Sequence, residues 1–223
     1  MNNTLAWEVV QKLLIEASIE TFYMVFFGSF LAVLVGAPIG LILYITDKDS
    51  LHENPAIYRA LDLIVNVVRS VPFVIFMILL IPLTEKMIGT SIGPTAALIS
   101  LAFSAAPFFA RMLETSMKDV DSGVIEAAQA MGSSNSQIVF KVLIPEAMPS
   151  IVNNITMLII TLIGYTAMAG TLGAGGLGAI AVRYGYYRRE GTVLYLSVLL
   201  IIILVQVIQL IGNGLSRHIN KKI

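Results

Sequence analysis

LYLSVLLIIILVQVIQLIG, residues 194–212, carries no charged side chain over its whole length. Crossing a hydrocarbon layer of about 30 Å takes roughly 20 apolar residues as a helix, because in lipid every backbone polar group must find its partner within the segment. The stretch meets that length. Working outward from it, four more apolar segments qualify, at 21–45, 61–83, 94–110 and 147–171, each bounded by charged or Gly-rich sequence. The pattern predicts an all-α polytopic membrane protein with five transmembrane helices, organised as a single membrane domain over residues 1–223. Composition agrees: mean hydropathy is +0.86, and 57% of the 223 residues are hydrophobic against 13% charged, too apolar for a soluble chain of this size. With 14 basic and 14 acidic residues there is no positive excess to suggest nucleic acid, and the absence of Cys excludes disulfides, thiolate metal sites and a cysteine nucleophile.

Residues 1–20 mix Glu8, Glu16 and Glu20 with short apolar runs, which reads as an interfacial lead-in rather than a signal peptide. Trp7, Val9, Val10, Leu13 and Leu14 fall at amphipathic spacing, so this segment is expected to lie along the membrane surface. Five spans put the termini on opposite sides. With the N-terminus outside, the inner segments hold Lys48, Arg59, Arg111, Lys118, Lys141, Arg217, Lys221 and Lys222, and the outer ones Lys12, Lys86, Arg183, Arg188 and Arg189, which favours a cytoplasmic C-terminus. Tyr44 and Tyr58 flank the first inner loop, and Tyr184, Tyr186 and Tyr187 sit in the last outer one, as interfacial aromatics do. No internal repeat is visible, and five spans cannot form two equal halves, so a substrate path requires a second copy of the chain.

The longest hydrophilic stretch, 111–145, has helical periodicity. Val124, Ala127, Ala128 and Met131 recur at i, i+3, i+4 and i+7 on one face of a short helix, and Gly132 supplies its stop. Ser134 and Gln137 have the form of a capping box, predicting a second helix through Ile138, Val139 and Val142 that ends at Pro145. Small residues at Ala127, Ala128 and Gly132 allow another backbone to approach closely, with Glu126 as a charged anchor beside them. Such a surface suits docking, although helices of this kind also occur as surface structure without a partner.

Glu126-Ala127-Ala128, then Gly132, then nine residues to Val142-Leu143-Ile144-Pro145, resembles the EAA motif of binding-protein-dependent ABC permeases. The spacing fits in full, with Val142 for Ile and Ile144 for Leu as conservative departures. The likeness extends over nearly the whole chain and is greatest to the permeases of D- and L-methionine importers, through Arg69-Ser70-Val71-Pro72-Phe73, Gly89-Thr90-Ser91-Ile92-Gly93, Ala105-Ala106-Pro107-Phe108 and the 173–178 run. The resemblance implies a type I ABC importer permease in the bacterial cytoplasmic (inner) membrane, working as a homodimer by alternating access. It makes Glu126, Ala127, Ala128, Gly132 and Pro145 the coupling residues, with 111–145 as a cytoplasmic coupling segment of two short helices. It also implies three partners: a second copy of the chain, a cytoplasmic ATPase dimer that uses ATP and Mg, and an extracytoplasmic substrate-binding protein. No cofactor is expected on this chain.

Other constellations are weaker. Asp62, Asn66 and Arg69 share one face of the second span and form a candidate polar ladder, for structural pairing more than transport, and Pro72 is expected to kink that helix. Gly173 to Gly178 spells G-x-G-x-x-G, yet no strand precedes it, so nucleotide binding is rejected in favour of a flexible re-entrant or external loop. No phosphate-binding G-x-x-x-x-G-K-[ST] occurs, which puts the energy source on another chain. In the fourth span Tyr165 and Met168 are candidate pathway residues, for which ordinary helix packing is an equal account. His52 and His218 lack metal-ligand spacing, and no nucleophile and base set marks an enzyme. The expected function is methionine import driven by a partner ATPase. An ABC permease for another amino acid or small solute, or a secondary transporter or channel, remains the alternative.

Overall fold

A computed structural model of the chain describes residues 5–220. Lys221 and Lys222, counted above for orientation, lie outside the described residues. Ten α-helices form the described part: α1 (Trp7–Thr46), α2 (Pro55–Ser70), α3 (Phe73–Leu79), α4 (Ile81–Ile88), α5 (Pro94–Lys118), α6 (Ser122–Ala130), α7 (Asn135–Ile138), α8 (Ile144–Thr171), α9 (Gly176–Ile180) and α10 (Gly191–Ile219). π-Helical turns at Val139–Leu143 and Ala181–Tyr187 join α7 to α8 and follow α9. Four helices are long and apolar enough to cross a membrane, and the pair α2 and α3 makes a fifth if counted as one bent span.

The core is α1 laid against α5. Gly28 faces Leu101, Gly36 faces Ala106 and Gly40 faces Ala110, so residue numbers rise together and the two helices run parallel. A Cβ at Gly36 or Gly40 would stand 2.5 Å from the carbonyl oxygen of Ala106 or Ala110. Small residues thus let two backbones touch, the usual source of helix affinity where lipid is as apolar as the side chains. α8 returns antiparallel to α5, joined by Asn154 Nδ2 donating to the Met112 carbonyl at 3.0 Å and to Ser116 Oγ at 2.6 Å. α10 runs antiparallel to α8, where Ser216 Oγ donates to the Pro149 carbonyl at 3.0 Å.

Several expectations are corrected. The N-terminal segment is continuous with the first span, giving one helix of 40 residues, about 60 Å long at 1.5 Å per residue. It forms no separate surface helix: Val10, Leu14 and Ala17 pack with Leu177, Ile180 and Val193 of α9 and α10, while Trp7 and Val9 stay exposed. The second predicted span is not one helix: α2 and α3 meet at 104°. Pro72 lacks an N–H and disfavours helical backbone in the residue before it, and Val71 is accordingly extended. The third span runs on to Lys118, past Arg111 and Glu114, because those charges pair within the fold. Pro145 does not end the second short helix. The widened turn at Val139–Leu143 carries α7 into α8, and Pro145 follows directly in the first turn of α8.

The Gly173–Gly178 run is held in place. Gly176 N–H donates to Glu20 Oε2 at 2.7 Å and Leu177 N–H to Thr21 Oγ1 at 2.9 Å, so α1 receives the start of α9. A Cβ on Gly178 would lie 2.3 Å from Ala167 Cα, which explains why α9 can press into α8.

The glycine contacts make the α1–α5 seam testable. Gly36→Ala and Gly40→Ala are each expected to destabilise by about 1–3 kcal/mol, the usual overpacking range. Gly28→Ala, whose Cβ meets Leu101 at an ordinary 3.5 Å, should leave the melting temperature of the detergent-purified protein unchanged.

Candidate functional site

The hydrophilic segment forms a short helical elbow at the end of the bundle where α1 and α5 finish. Asp121 caps α6, its Oδ1 accepting the Gly123 N–H at 2.7 Å. At the other end Ser133 N–H reaches the Ala128 carbonyl at 3.1 Å and Gly132 N–H the Gln129 carbonyl at 2.9 Å, a Schellman closure. That closure needs left-handed backbone at Gly132, whose φ is +79°. Both arms of the capping box are present: Ser134 N–H donates to Gln137 Oε1 at 2.9 Å and Gln137 N–H to Ser134 Oγ at 3.4 Å. Local sequence therefore fixes the elbow.

The face expected to hold Val124, Ala127, Ala128 and Met131 together is divided. The buried line of α6 runs through Ile125 and Ala128, so Ala128 faces the bundle while Val124, Glu126, Ala127 and Met131 face away. Met131 is 79% exposed, a large apolar side chain at the end of a helix that otherwise presents small residues, Val124, Gln129 and the Glu126 carboxylate. Pro145 is exposed in the first turn of α8.

Beside α6 lies a cavity of about 400 Å3, lined by Asp47, Ser50, Lys118, Glu126 and Gln129 among others. Its inner wall leads into a chain of ion pairs. Lys118 Nζ sits 2.6 Å from Asp47 Oδ2 and 2.7 Å from Glu114 Oε1. Glu114 Oε2 accepts from Arg111 Nη1 at 2.7 Å, and Arg111 Nη2 pairs with Asp62 while donating to Asn66 Oδ1 at 3.3 Å. The Tyr58 hydroxyl donates to Glu114 Oε1 at 3.2 Å. Glu114, at 1% exposure, is the buried centre, and its charge is tolerable because two cations and a hydroxyl satisfy both oxygens. Burial alone would raise the Asp47 carboxyl, but the Lys118 hydrogen bond, the Lys48 N–H and the charges of Lys118 and Arg111 hold it below its ordinary 3.8. Asn135 Nδ2 donates to the Leu51 carbonyl at 3.1 Å and lies 3.0 Å from His52 Nε2, tying the loop after α1 to the start of α7.

Residues 36–223 match the family model described as binding-protein-dependent transport system inner membrane component. The chain belongs to this family. It is 45% identical to the probable D-methionine transport system permease protein MetI of Vibrio cholerae over 99% of both chains. It is 44% identical to the methionine import system permease protein MetP of Bacillus subtilis over 93% of both. Among solved structures, it is similar to a chain described as an inward-facing conformation of the MetNI methionine ABC transporter, with TM-score 0.94 and 42% identity over 97% of this chain and all of the other.

In this permease the polar ladder predicted from Asp62, Asn66 and Arg69 closes differently. Asn66 Nδ2 donates to Asp62 Oδ2 at 3.0 Å, but the cation that joins them is Arg111 of α5. Arg69 is exposed, and its guanidinium makes no ion pair or hydrogen bond among the described residues. Helical spacing puts it on the right face, and a full guanidinium from a neighbouring helix takes the place first. Tyr165 is half-buried, stacked on Phe73 with ring centroids 4.4 Å apart and planes 5° from parallel, so it docks α3 onto α8. Met168 is exposed and shares a stripe of α8 with Met157, Thr161, Gly164 and Thr171. The residue missed by sequence reasoning is Glu114. Its signal is present as Arg111-x-x-Glu114-x-x-x-Lys118, i−3 and i+4 partners on one helix, at the start of the hydrophilic stretch set apart from the third span.

Gly132→Val forces a β-branched residue into left-handed backbone at about 1–2 kcal/mol, while its Cβ would meet nothing within 4 Å. Faster hydrogen exchange confined to α6 and its turn is the expected result. For Asp47, a depressed carboxyl contributes stability that is complete above 3.8 and is lost as pH falls below it through the lower folded value. Wild type and Asp47→Asn are therefore expected to differ by a constant melting-temperature gap at neutral pH that closes only below 3.8.

Proposed function

We propose that this chain is the membrane-spanning permease subunit of an ATP-driven methionine importer. The observation that carries the proposal is likeness along the full chain, in sequence and fold together, to the membrane subunit of a methionine transporter. The exposed Glu126-Ala127 face of α6, backed by Ala128 and closed by Gly132, is the coupling surface that receives a cytoplasmic ATPase dimer. ATP and Mg are bound by that partner, and this chain performs no covalent chemistry.

Residues 1–223 act as one transmembrane domain with five crossings. The parallel course of α1 and α5 supports that count, because the chain between them must return once to the far side, and the bent α2–α3 pair is the segment that would do so. The α6 end is cytoplasmic and the N-terminus outside. Lys48, Arg59, Arg111, Lys118, Lys141 and Arg217 gather at the α6 end, as positive charge does on the inner side. Two copies meet so that the α8 stripe of Met157, Thr161, Gly164, Met168 and Thr171 borders the path, where thioether and methyl groups suit an apolar amino-acid side chain. Closure of the ATPase on ATP draws the α6 elbows together and opens the path outward. A substrate-binding protein delivers cargo there, and hydrolysis resets the inward-open state.

Reconstituting the permease with its ATPase and binding protein in liposomes tests this. Uptake of labelled methionine should require ATP and be competed by unlabelled methionine more than by polar amino acids. ATP-dependent uptake indifferent to methionine would sink the cargo assignment and leave the class. Glu126→Lys is expected to lower ATPase association and uptake by roughly tenfold, worth about 1.4 kcal/mol; unchanged association would refute docking at α6.

A further inference from the structure

The coupling surface and the transport path are held by different helices, so something must carry displacement from one to the other. α1 and α5 are joined backbone to backbone through Gly36 and Gly40, a close-packed contact that gives little room to slide. α2 is attached otherwise. It buries a single residue, Val65, and leaves Ile57, Leu63, Ile64 and Val67 exposed. What fixes it to the α1–α5 pair is polar: Tyr58, Asp62 and Asn66 of α2 all meet Arg111 or Glu114 of α5. At its far end α2 stops at extended Val71 and turns through 104° into α3, whose Phe73 stacks on Tyr165 of α8, next to the Met168 stripe. At its near end, the loop from Asp47 to Asn54 touches both the ion-pair chain, through Asp47 and Lys118, and the elbow, through Asn135.

From this we infer that Glu114 is a positioning residue for coupling. With Arg111 and Lys118 it forms a clasp that locks α2 and the 47–54 loop to the α1–α5 pair, and α2 swings about Val71-Pro72 when the clasp is released in the transport cycle. Ion pairs suit this task better than apolar packing. They are directional, need few atoms, and pass between made and broken states over a small displacement. Burial of Glu114 keeps water from competing with its two cations while the clasp is shut. The cavity between the loop and α6, with Glu126 and Gln129 on one wall and Asp47 and Lys118 on the other, gives the elbow room to move against the clasp. Displacement then has a defined route: α6 and α7, the 47–54 loop, α2, and through the bend to α3 and α8.

The inference rests on the importer reading for its readout of transport, and the test separates the two. Glu114→Gln keeps the shape and removes the charge. In the reconstituted complex it is expected to hydrolyse ATP while methionine taken up per ATP falls roughly two- to thirtyfold, the range of couplings carried by such networks. A purely structural residue would lower uptake and hydrolysis together with the amount of assembled complex, and that parallel loss would overturn the proposal. The motion is measured independently. The chain has no Cys, so paired electron–electron distances between spin labels on Ile64→Cys of α2 and Phe103→Cys of α5 report this helix pair once the partner's own thiols are removed. In wild type the distance should change between nucleotide-free and ATP-trapped complex. With Glu114→Gln the nucleotide-free distance should shift toward the trapped value. One unchanging distance in every state would overturn the clasp even if uptake is normal, whereas failed methionine uptake by wild type with a normal distance change would overturn only the cargo. If Glu114→Gln does not assemble, Tyr58→Phe and Asn66→Ala weaken the clasp from the α2 side and carry the same expectations.

Discussion

The contact on which this protein depends is the seam between α1 and α5, where Gly36 and Gly40 let one helix backbone rest on the carbonyls of another. In a bilayer there is no hydrophobic drive between helices, because lipid solvates an apolar side chain as well as protein does. Close backbone approach supplies dispersion contact instead, and only glycine permits it at those positions. Because the seam is parallel, the ends of α1 and α5 lie together, and the loop after α1 comes to rest beside the elbow after α5. The juxtaposition of Asp47 with Lys118, and of the 47–54 loop with α7, follows from that geometry.

Polar chemistry is then confined to places where packing does not decide the structure. Asn154 and Ser116 bridge α5 to α8, Ser216 bridges α10 to α8, and Glu20 with Thr21 receives the N–H groups at the start of α9. Each satisfies a backbone or hydroxyl group that lipid would leave unpaired. The ion-pair chain around Glu114 differs in kind, since it joins α5 to α2, which buries only Val65, and to the end of α1. Glycine-lined seams make a rigid frame, and charge makes the one attachment within it that can be undone over a short distance.

The bend at Val71-Pro72 breaks one helix pair at 104°, whereas the π-helical turn at Val139–Leu143 keeps α7 and α8 continuous. Proline forces the first, and proline shapes the second as well, because Pro145 enters α8 in its first turn once the preceding turn is widened. α3 and α8 then meet through the Phe73–Tyr165 stack, so an aromatic pair connects the bent α2–α3 pair to the helix that carries Met168.

Sequence by itself determined the helical class, the presence of apolar stretches long enough to cross a membrane, and the caps of the elbow. Length and hydropathy suffice for the first two, and capping at Asp121, Gly132, Ser134 and Gln137 acts over four or five residues and is written locally. It also determined the family, since the Glu126 to Pro145 spacing is one-dimensional information. Tertiary structure decided what depends on residues far apart in the chain. Which cation meets Asp62 is settled by Arg111, 49 positions away, and not by Arg69 on the same helix face. Whether residues 7–20 lie on the membrane or continue the span is settled by α9 and α10 covering Val10 and Leu14. Whether Arg111, Glu114 and Lys118 end a helix or sit inside one is settled by Asp47, Tyr58 and Asp62 arriving to pair with them. A charge reads as a boundary until its partner is known, and the partner comes from a helix the local sequence does not contain.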